Sequence, residues 1–501
     1  MNELLPYYHK VDPTTWAYVS SLLMIGLYFK FSRFWSVRNL DLLLLILLAP
    51  GLLMVNSGYA QRKSKPIASA VDVTTPIEAT NPLTSPLPPE VSKPAVAPPE
   101  AETKAQPTAS EKSSRMHSPM DELLGEPLEE IDHQPTAAER GMQLERFGYL
   151  WLFVTGGLLL VRLLVDSTMV RRPLLEPNLS PGGLAFIGGS LFVFLMGNMI
   201  ASPAEALTPR PRNSPGYALV QSLPPVPSGG AVLVDPDVPP PPSALSKVLV
   251  TLAQLAIVIA VIGIGYRHFD NLKMGVGAAS LYLMLPYTSQ MAGMPEHAIP
   301  AAFLLWAVLF YRRPLTAGLF MGLAAAVGYY PLFLLPLWLS FYWQRGLMRF
   351  ITGVLTTLFV AAVLLVCASN SSSDFALHVR AMFGLLAFRW RAEDLGGIWA
   401  LGWDPVYRVP MLTAFIALSG SFALWPAQKN LGTLLSCSAA VMLAAQFWHG
   451  NGGGLYMAWY LPLLLLTVFR PNLEDRVALS VLGEGWFPRR RWAAGTMERA
   501  A

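Results

Sequence analysis

The residues that could do chemistry stand in a few short stretches of an otherwise apolar chain. Glu296 and His297 are neighbours in Gly293-Met-Pro-Glu-His297, between two apolar runs. Arg380, Arg389 and Arg391 are followed by Glu393 and Asp394 and interleaved with Phe383, Phe388 and Trp390. Asp235 and Asp237 lie among prolines, and His449 closes an apolar run. A carboxylate beside a hydroxyl can take its proton, and an arginine fork can hold two oxygens of an anion. Each group also has a plainer reading. Glu296 and His297 precede a helix beginning near Pro300, where a glutamate is favoured by the dipole. The arginines and aromatics could form an amphipathic helix on a lipid surface, with Glu393 and Asp394 as their ion partners. Asp235 and Asp237 read as solvated linker acids. Trp399, Trp403, Tyr456, Trp459 and Tyr460 fit an interfacial aromatic belt.

The elements that must position these groups are membrane helices. Of 501 residues, 53% are hydrophobic and 14% charged, against roughly a quarter charged in soluble domains. Mean hydropathy is +0.42. A span needs about 20 apolar residues, and the apolar runs predict helices at 15–33, 39–57, 147–166, 183–200, 244–266, 274–290, 298–311, 315–328, 330–343, 348–368, 409–426, 430–447 and 454–469. The fold class expected is therefore all-α, a polytopic membrane protein of about 11–13 spanning or partly spanning helices. Tyr330-Pro331 breaks one run into short helices or a kinked unit. The start of the chain lacks a basic region followed by a small-residue cleavage site, so the first span is expected to serve as its own insertion signal.

Lysine and arginine counts orient the bundle. Arg171, Arg172, Arg267, Lys273, Arg312, Arg313, Arg345, Arg349, Lys429, Arg470 and Arg489 to Arg491 fall on one side if the helices alternate, and that side is expected to be cytoplasmic, with the C-terminus. Loops 201–243, 291–297, 369–408 and 448–453 are left for the outer side. Lys30, Arg33 and Arg38 compete with Arg62, Lys63 and Lys65, which leaves the first two helices open. Arg162 and Asp166, four apart near the inner end of their helix, are expected to pair or snorkel.

Four regions follow: a two-helix module at 1–60, a Pro/Ala/Glu-rich linker at 61–139 expected to be disordered, a membrane core at 140–475, and a basic cytoplasmic tail at 476–501. Within the linker, residues 121–132 mix Leu and Ile with carboxylates and read as an acidic tether or a docking peptide for a protein partner. The net charge of +4 gives no polyanion-binding surface, so nucleic acid is not an expected partner and the lipid bilayer is. Cys367 and Cys437 offer neither a disulfide framework nor a metal site. Phosphate loops, GxSxG elbows and HExxH helices are absent. Gly318 and Gly322 form a small-xxx-small face, read as close helix packing.

One stretch carries a family resemblance. Gly293-Met-Pro-Glu-His297, Arg312-Arg-Pro314, Ala317-Gly-Leu-Phe-Met-Gly-Leu-Ala-Ala325, Tyr330-Pro331 and Leu334-Leu-Pro336 resemble the central part of the C-type integral-membrane glycosyltransferases, particularly glycosyltransferase family 87. Leu455-Tyr-Met-Ala-Trp-Tyr-Leu-Pro462 resembles that superfamily's last outer loop and helix. The order Phe388-Arg-Trp-Arg391, Glu393-Asp394, Trp399 is similar, at shorter spacing, to the lumenal loop of polyprenyl-phosphate-glucose glucosyltransferases. The likeness covers roughly residues 180–470. It implies a C-type core and transfer of a hexose from a polyprenyl-phosphate donor to an acceptor on the extracytoplasmic face.

Under that resemblance the base is one of Asp235, Asp237, Glu296, Glu393 and Asp394. His297, Arg380, Arg389 and Arg391 would bind the donor phosphate, and Trp399, Trp403 and Tyr456 would stack on the sugar. No protein-bound metal site is expected, no cofactor is required, and a divalent cation is left open. Gly328 stands where family 87 proteins usually carry Lys before Tyr-Pro. The alternatives are a catalytically silent scaffold that binds lipid or sugar, and a transporter, against which the lack of repeats counts.

Overall fold

The structure is a computed structural model, and it describes residues 12–63, 136–166, 169, 174–201, 244–291, 293–343, 345–369, 371–382, 395–426, 429–450 and 454–471. The stretches 201–243 and 121–132, most of the linker, and the tail at 476–501 lie outside the described residues or nearly so. The helices are α1 (Pro13–Tyr28), α2 (Val37–Lys63), α3 (Ala137–Asp166), α4 (Pro181–Ala201), α5 (Ala244–His268), α6 (Leu272–Met284), α7 (Pro286–Met291), α8 (Pro295–Leu309), α9 (Pro314–Val327), α10 (Leu335–Tyr342), α11 (Leu347–Ala368), α12 (Ser372–Met382), α13 (Arg408–Leu424), α14 (Leu431–Trp448) and α15 (Leu461–Phe469). The described residues contain no β-strand, and the protein is an all-α polytopic membrane protein.

Seven of these helices are long and apolar enough to cross a membrane: α2, α3, α4, α5, α11, α13 with the turn before it, and α14. α6, α8, α9 and the 330–342 segment are shorter apolar helices. Lipid is the solvent that accounts for their outer faces. Leu355, Phe359, Val363 and Val366 of α11, and Val154, Leu158, Val161 and Val165 of α3, are all exposed. A water-soluble protein does not display apolar stripes of that extent. α14 is the exception, with 94% of its most apolar window buried inside the protein.

The structure differs from the sequence expectation in its breaks. Pro286 ends the run 274–290 as two helices, because proline removes a backbone donor and forces its predecessor extended; Leu285 has φ −58° and ψ 132°. Gly328 is extended after α9, and a 3-10 turn, Tyr330–Leu334, leads into α10. Residues 454–460 are not an α-helix, and only Leu461–Phe469 of that run is one. α2 reaches Lys63 and α3 begins at Ala137, so both helices take residues from the stretch read as linker. α1 and α2 belong to the same compact unit as the later helices.

Glycine seams bring backbones together. Gly58 of α2 lies against Gly141 and Glu145 of α3, where a Cβ would meet the Glu145 amide at 2.5 Å. Gly148 faces Val55 and Gly51 in the same way, at 2.7 and 2.9 Å. Gly318 and Gly322 of α9 meet α11, where a Cβ on Gly322 would stand 2.8 Å from the Val354 carbonyl. Close packing is thus the role of that small-residue face.

At one end of the bundle, four charges cluster, with Asp41, Asp166 and Arg470 buried and Arg162 half-buried. Arg162 donates from Nε to Asp41 Oδ1 at 2.7 Å and from Nη2 to Oδ2 at 2.9 Å, and from Nη1 to Asp166 Oδ1 at 3.3 Å. The second Asp166 oxygen accepts from Arg470. Arg162 and Asp166 therefore pair rather than snorkel. Lys30, Arg33 and Arg38, immediately before or within the first turn of α2, lie toward the Asp41 end of that helix, and Arg62 and Lys63 lie toward the other.

Candidate functional site

The end opposite that charge cluster holds the other polar concentration. α8 starts there and runs to the turn carrying Arg312 and Arg313, and α9 returns to it. α14 starts beside Arg470 and finishes there, and α15 leads back to Arg470. The ends of these helices converge on a small cavity lined by Glu296, Val327, Gly328, Tyr329, Tyr330, His449, Tyr456 and Trp459. Its volume is about 20 Å³, room for one water molecule.

Each side chain is placed by a local rule. Pro295 opens α8, where its missing N–H costs nothing, and Glu296 follows in the first turn with a favourable dipole. Glu296 is half-buried and faces the cavity, so the dipole-favoured first-turn position and the site position coincide. His297 is buried; its Nδ1 and the Tyr287 hydroxyl are 2.7 Å apart, and its ring centroid is 4.9 Å from that of Tyr456. His449 caps the C-terminal end of α14 in extended geometry, which turns its ring into the cavity. Its Nε2 is hydrogen-bonded to the Tyr329 hydroxyl.

Three aromatic rings form one wall. Trp459 stacks on Tyr330 at 4.2 Å and 14° on one side and on Tyr456 at 4.7 Å and 26° on the other. His449 meets Tyr456 and Trp459 edge-on at 5.3 and 5.2 Å. The loop bearing Tyr456 is held by its amide, which donates to Gln446 Oε1 at 3.2 Å. Tyr330 is 1% exposed, and its hydroxyl has no hydrogen-bond partner among the described residues. Gly328 shapes the floor: a Cβ there would stand 3.3 Å from the Tyr330 ring and 3.4 Å from Pro300.

A cation stands behind this wall. Arg408, at the start of α13, is 4% exposed, donates from Nε to the Trp448 carbonyl at 3.1 Å and interacts electrostatically with Tyr329. Its guanidinium packs against Gly450, where a Cβ would come 2.8 Å from Nη2. On the same end of α2 and α3, Arg62 pairs with the buried Glu145 at 3.2 Å. Glu145 and Tyr456 both act electrostatically on Tyr149.

Of the residues selected from sequence, the structure brings Glu296, His297 and Tyr456 together, with His449 from the same outer cluster. Trp399 is buried elsewhere, 4% exposed in a 3-10 turn, and Trp403 is 37% exposed; neither lines the cavity. Asp235, Asp237, Arg389, Arg391, Glu393 and Asp394 lie outside the described residues, as does the side chain of Arg380 on α12. Tyr287, Tyr329, Tyr330 and Arg408 escaped sequence reading. Tyr330-Pro331 was visible as a helix break, and that break is what carries two tyrosines to the cavity.

Among the described residues no three His, Cys, Asp or Glu side chains come together as a metal site. The chain matches no protein-family model, no curated protein and no solved structure.

Proposed function

We propose that this protein is a membrane glycosyltransferase that moves a hexose from a polyprenyl-phosphate donor to an acceptor on the extracytoplasmic face. The observation that carries the reading is one cavity at a helix-bundle end where a carboxylate, an imidazole and a three-ring wall meet. Glu296 is the candidate base. It would take the acceptor hydroxyl proton as that oxygen attacks C1, while the C1–O bond breaks and its electrons leave with the polyprenyl phosphate. Trp459 and Tyr456 would lie along the sugar's apolar face, and His297, His449 and Arg408 would offer donors to departing phosphate oxygens. The C-type resemblance in residues 180–470 supports the same chemistry. Excess Lys and Arg at the opposite end support placing that end, and the C-terminus, in the cytoplasm.

The experiment is direct. Purified protein in nanodiscs is incubated with polyprenyl-phosphate mannose and glucose, across acceptors and divalent cations. Transfer of sugar with release of polyprenyl phosphate is expected, and its absence from every donor refutes the reading. One observation favours a second reading, a silent scaffold: a cavity the size of one water must open before it admits a hexose. Under that reading residues 121–132 recruit a protein, and a pull-down with and without residues 61–139 then separates scaffold from enzyme.

A further inference from the structure

The turn between α1 and α2 keeps large apolar side chains in the open. Phe31, Phe34 and Trp35 are exposed, Trp35 by 95% of its surface. Phe34 makes edge contacts with Phe29 and with Trp35, both at 5.5 Å. A slack loop would fold such rings inward. This one is fastened from beneath. Asn39 is fully buried, with Nδ2 at 3.0, 3.0 and 3.1 Å from the carbonyls of Lys30, Arg33 and Phe34, and its Oδ1 accepts the Lys30 amide at 3.1 Å. Arg38, also buried, donates to the carbonyls of Tyr28 and Leu174 at 3.0 Å and to that of Glu176. The turn is thereby tied to the segment preceding α4, and its aromatic side chains are held outward.

In water a rigid display of this kind is unfavourable, whereas aromatic rings are at home where acyl chains meet headgroups. The turn sits at that level, immediately before the span that starts at Val37. It also carries charge: Lys30 and Arg33 flank Phe31, while the nearby carboxylates are engaged, Asp41 with Arg162 and Glu176 in attraction to Arg38. We propose that this corner binds anionic phospholipid, with Lys30 and Arg33 on the phosphate-bearing headgroup and Phe31, Phe34 and Trp35 in the upper acyl layer. The inference is independent of glycosyl transfer.

The test is native mass spectrometry of the full chain with phosphatidylglycerol and phosphatidylcholine of matched acyl chains. Wild type is expected to retain phosphatidylglycerol preferentially. Lys30→Gln with Arg33→Gln should lower that preference about 25-fold, at roughly fivefold per cation near the surface, and leave phosphatidylcholine adducts unchanged. Trp35→Ala should weaken retention of both lipids. Arg33 and Trp35 are exposed and Lys30 is half-buried, so Arg33→Gln alone, expected to lower the preference about fivefold, checks the double variant, and thermal stabilisation by added phosphatidylglycerol gives a second readout. Equal retention of the two lipids by wild type, or an undiminished preference in the double variant, overturns the proposal. So does efficient Trp35→Cys cross-linking between two copies, which would make the corner a protein interface.

Discussion

Asp166 is the residue on which the buried charge cluster depends most. It meets Arg162 with one oxygen and Arg470 with the other, and the side chains of Asp166 and Arg470 are both fully buried. Asp166→Asn leaves Arg162 its two-pronged contact with Asp41 but takes from Arg470 the negative charge it contacts. Breaking a buried pair on one side costs about 3–5 kcal/mol, because a desolvated charge remains. At about 2 °C per kcal/mol for large chains, the expected fall in Tm is about 6–10 °C, read by intrinsic fluorescence during heating in detergent. Removing both charges, Asp166→Leu with Arg470→Met, should recover most of that loss, since an apolar pair of similar volume needs no compensation. A single variant within about 2 °C of wild type, or a double variant that falls as far as the single, would refute the argument.

Three further outcomes are expected. Glu296→Gln should lower hexose transfer by about 10²–10⁴-fold while donor binding persists, measured by turnover against lipid-donor retention. Gly328→Leu should abolish transfer and lower Tm by a few degrees, because the cavity is bounded there, a methyl alone would already touch Tyr330 and Pro300, and overpacking costs about 1–3 kcal/mol; a fully active variant would place the reaction elsewhere. Gly58→Leu should separate α2 from α3 and lower expression and Tm together, since the new side chain would collide with the Glu145 backbone; Gly26→Leu, where nothing lies within 4 Å, is the matched control.

Apolar run length made most of the fold legible, because a lipid-spanning helix must satisfy its own backbone and shows this as uninterrupted hydropathy. Where a helix is amphipathic the signal fades. α12, with Ser372, Ser373, Asp374 and His378, read as loop, and the polar start of α3 read partly as linker and otherwise as lying before the span at 147–166. The site was legible only in its charged part. Glu296, His297 and His449 stand out against apolar neighbours, whereas Tyr329, Tyr330 and Trp459 resemble any other membrane aromatics until chain breaks at Gly328 and Gly454 bring them to one place. Arg408 follows a proline-containing turn and gives no pattern at all; only tertiary contact with Trp448 and Gly450 marks it.

The enclosure of α14 bears on how the chain reaches its final state. This helix carries Thr433, Ser436, Ser438 and Gln446 and has one of the lower mean hydropathies among the long helices, 1.5, yet almost none of it meets lipid. A segment of that composition is a poor solute for hydrocarbon on its own and becomes a good one once α3, α13 and α15 surround it. Its insertion is therefore a collective event that waits on α3 and α13 already standing in the membrane and is completed when α15 follows. An arrest of synthesis before α15 should leave α14 the first segment accessible to water-soluble thiol reagents through Cys437.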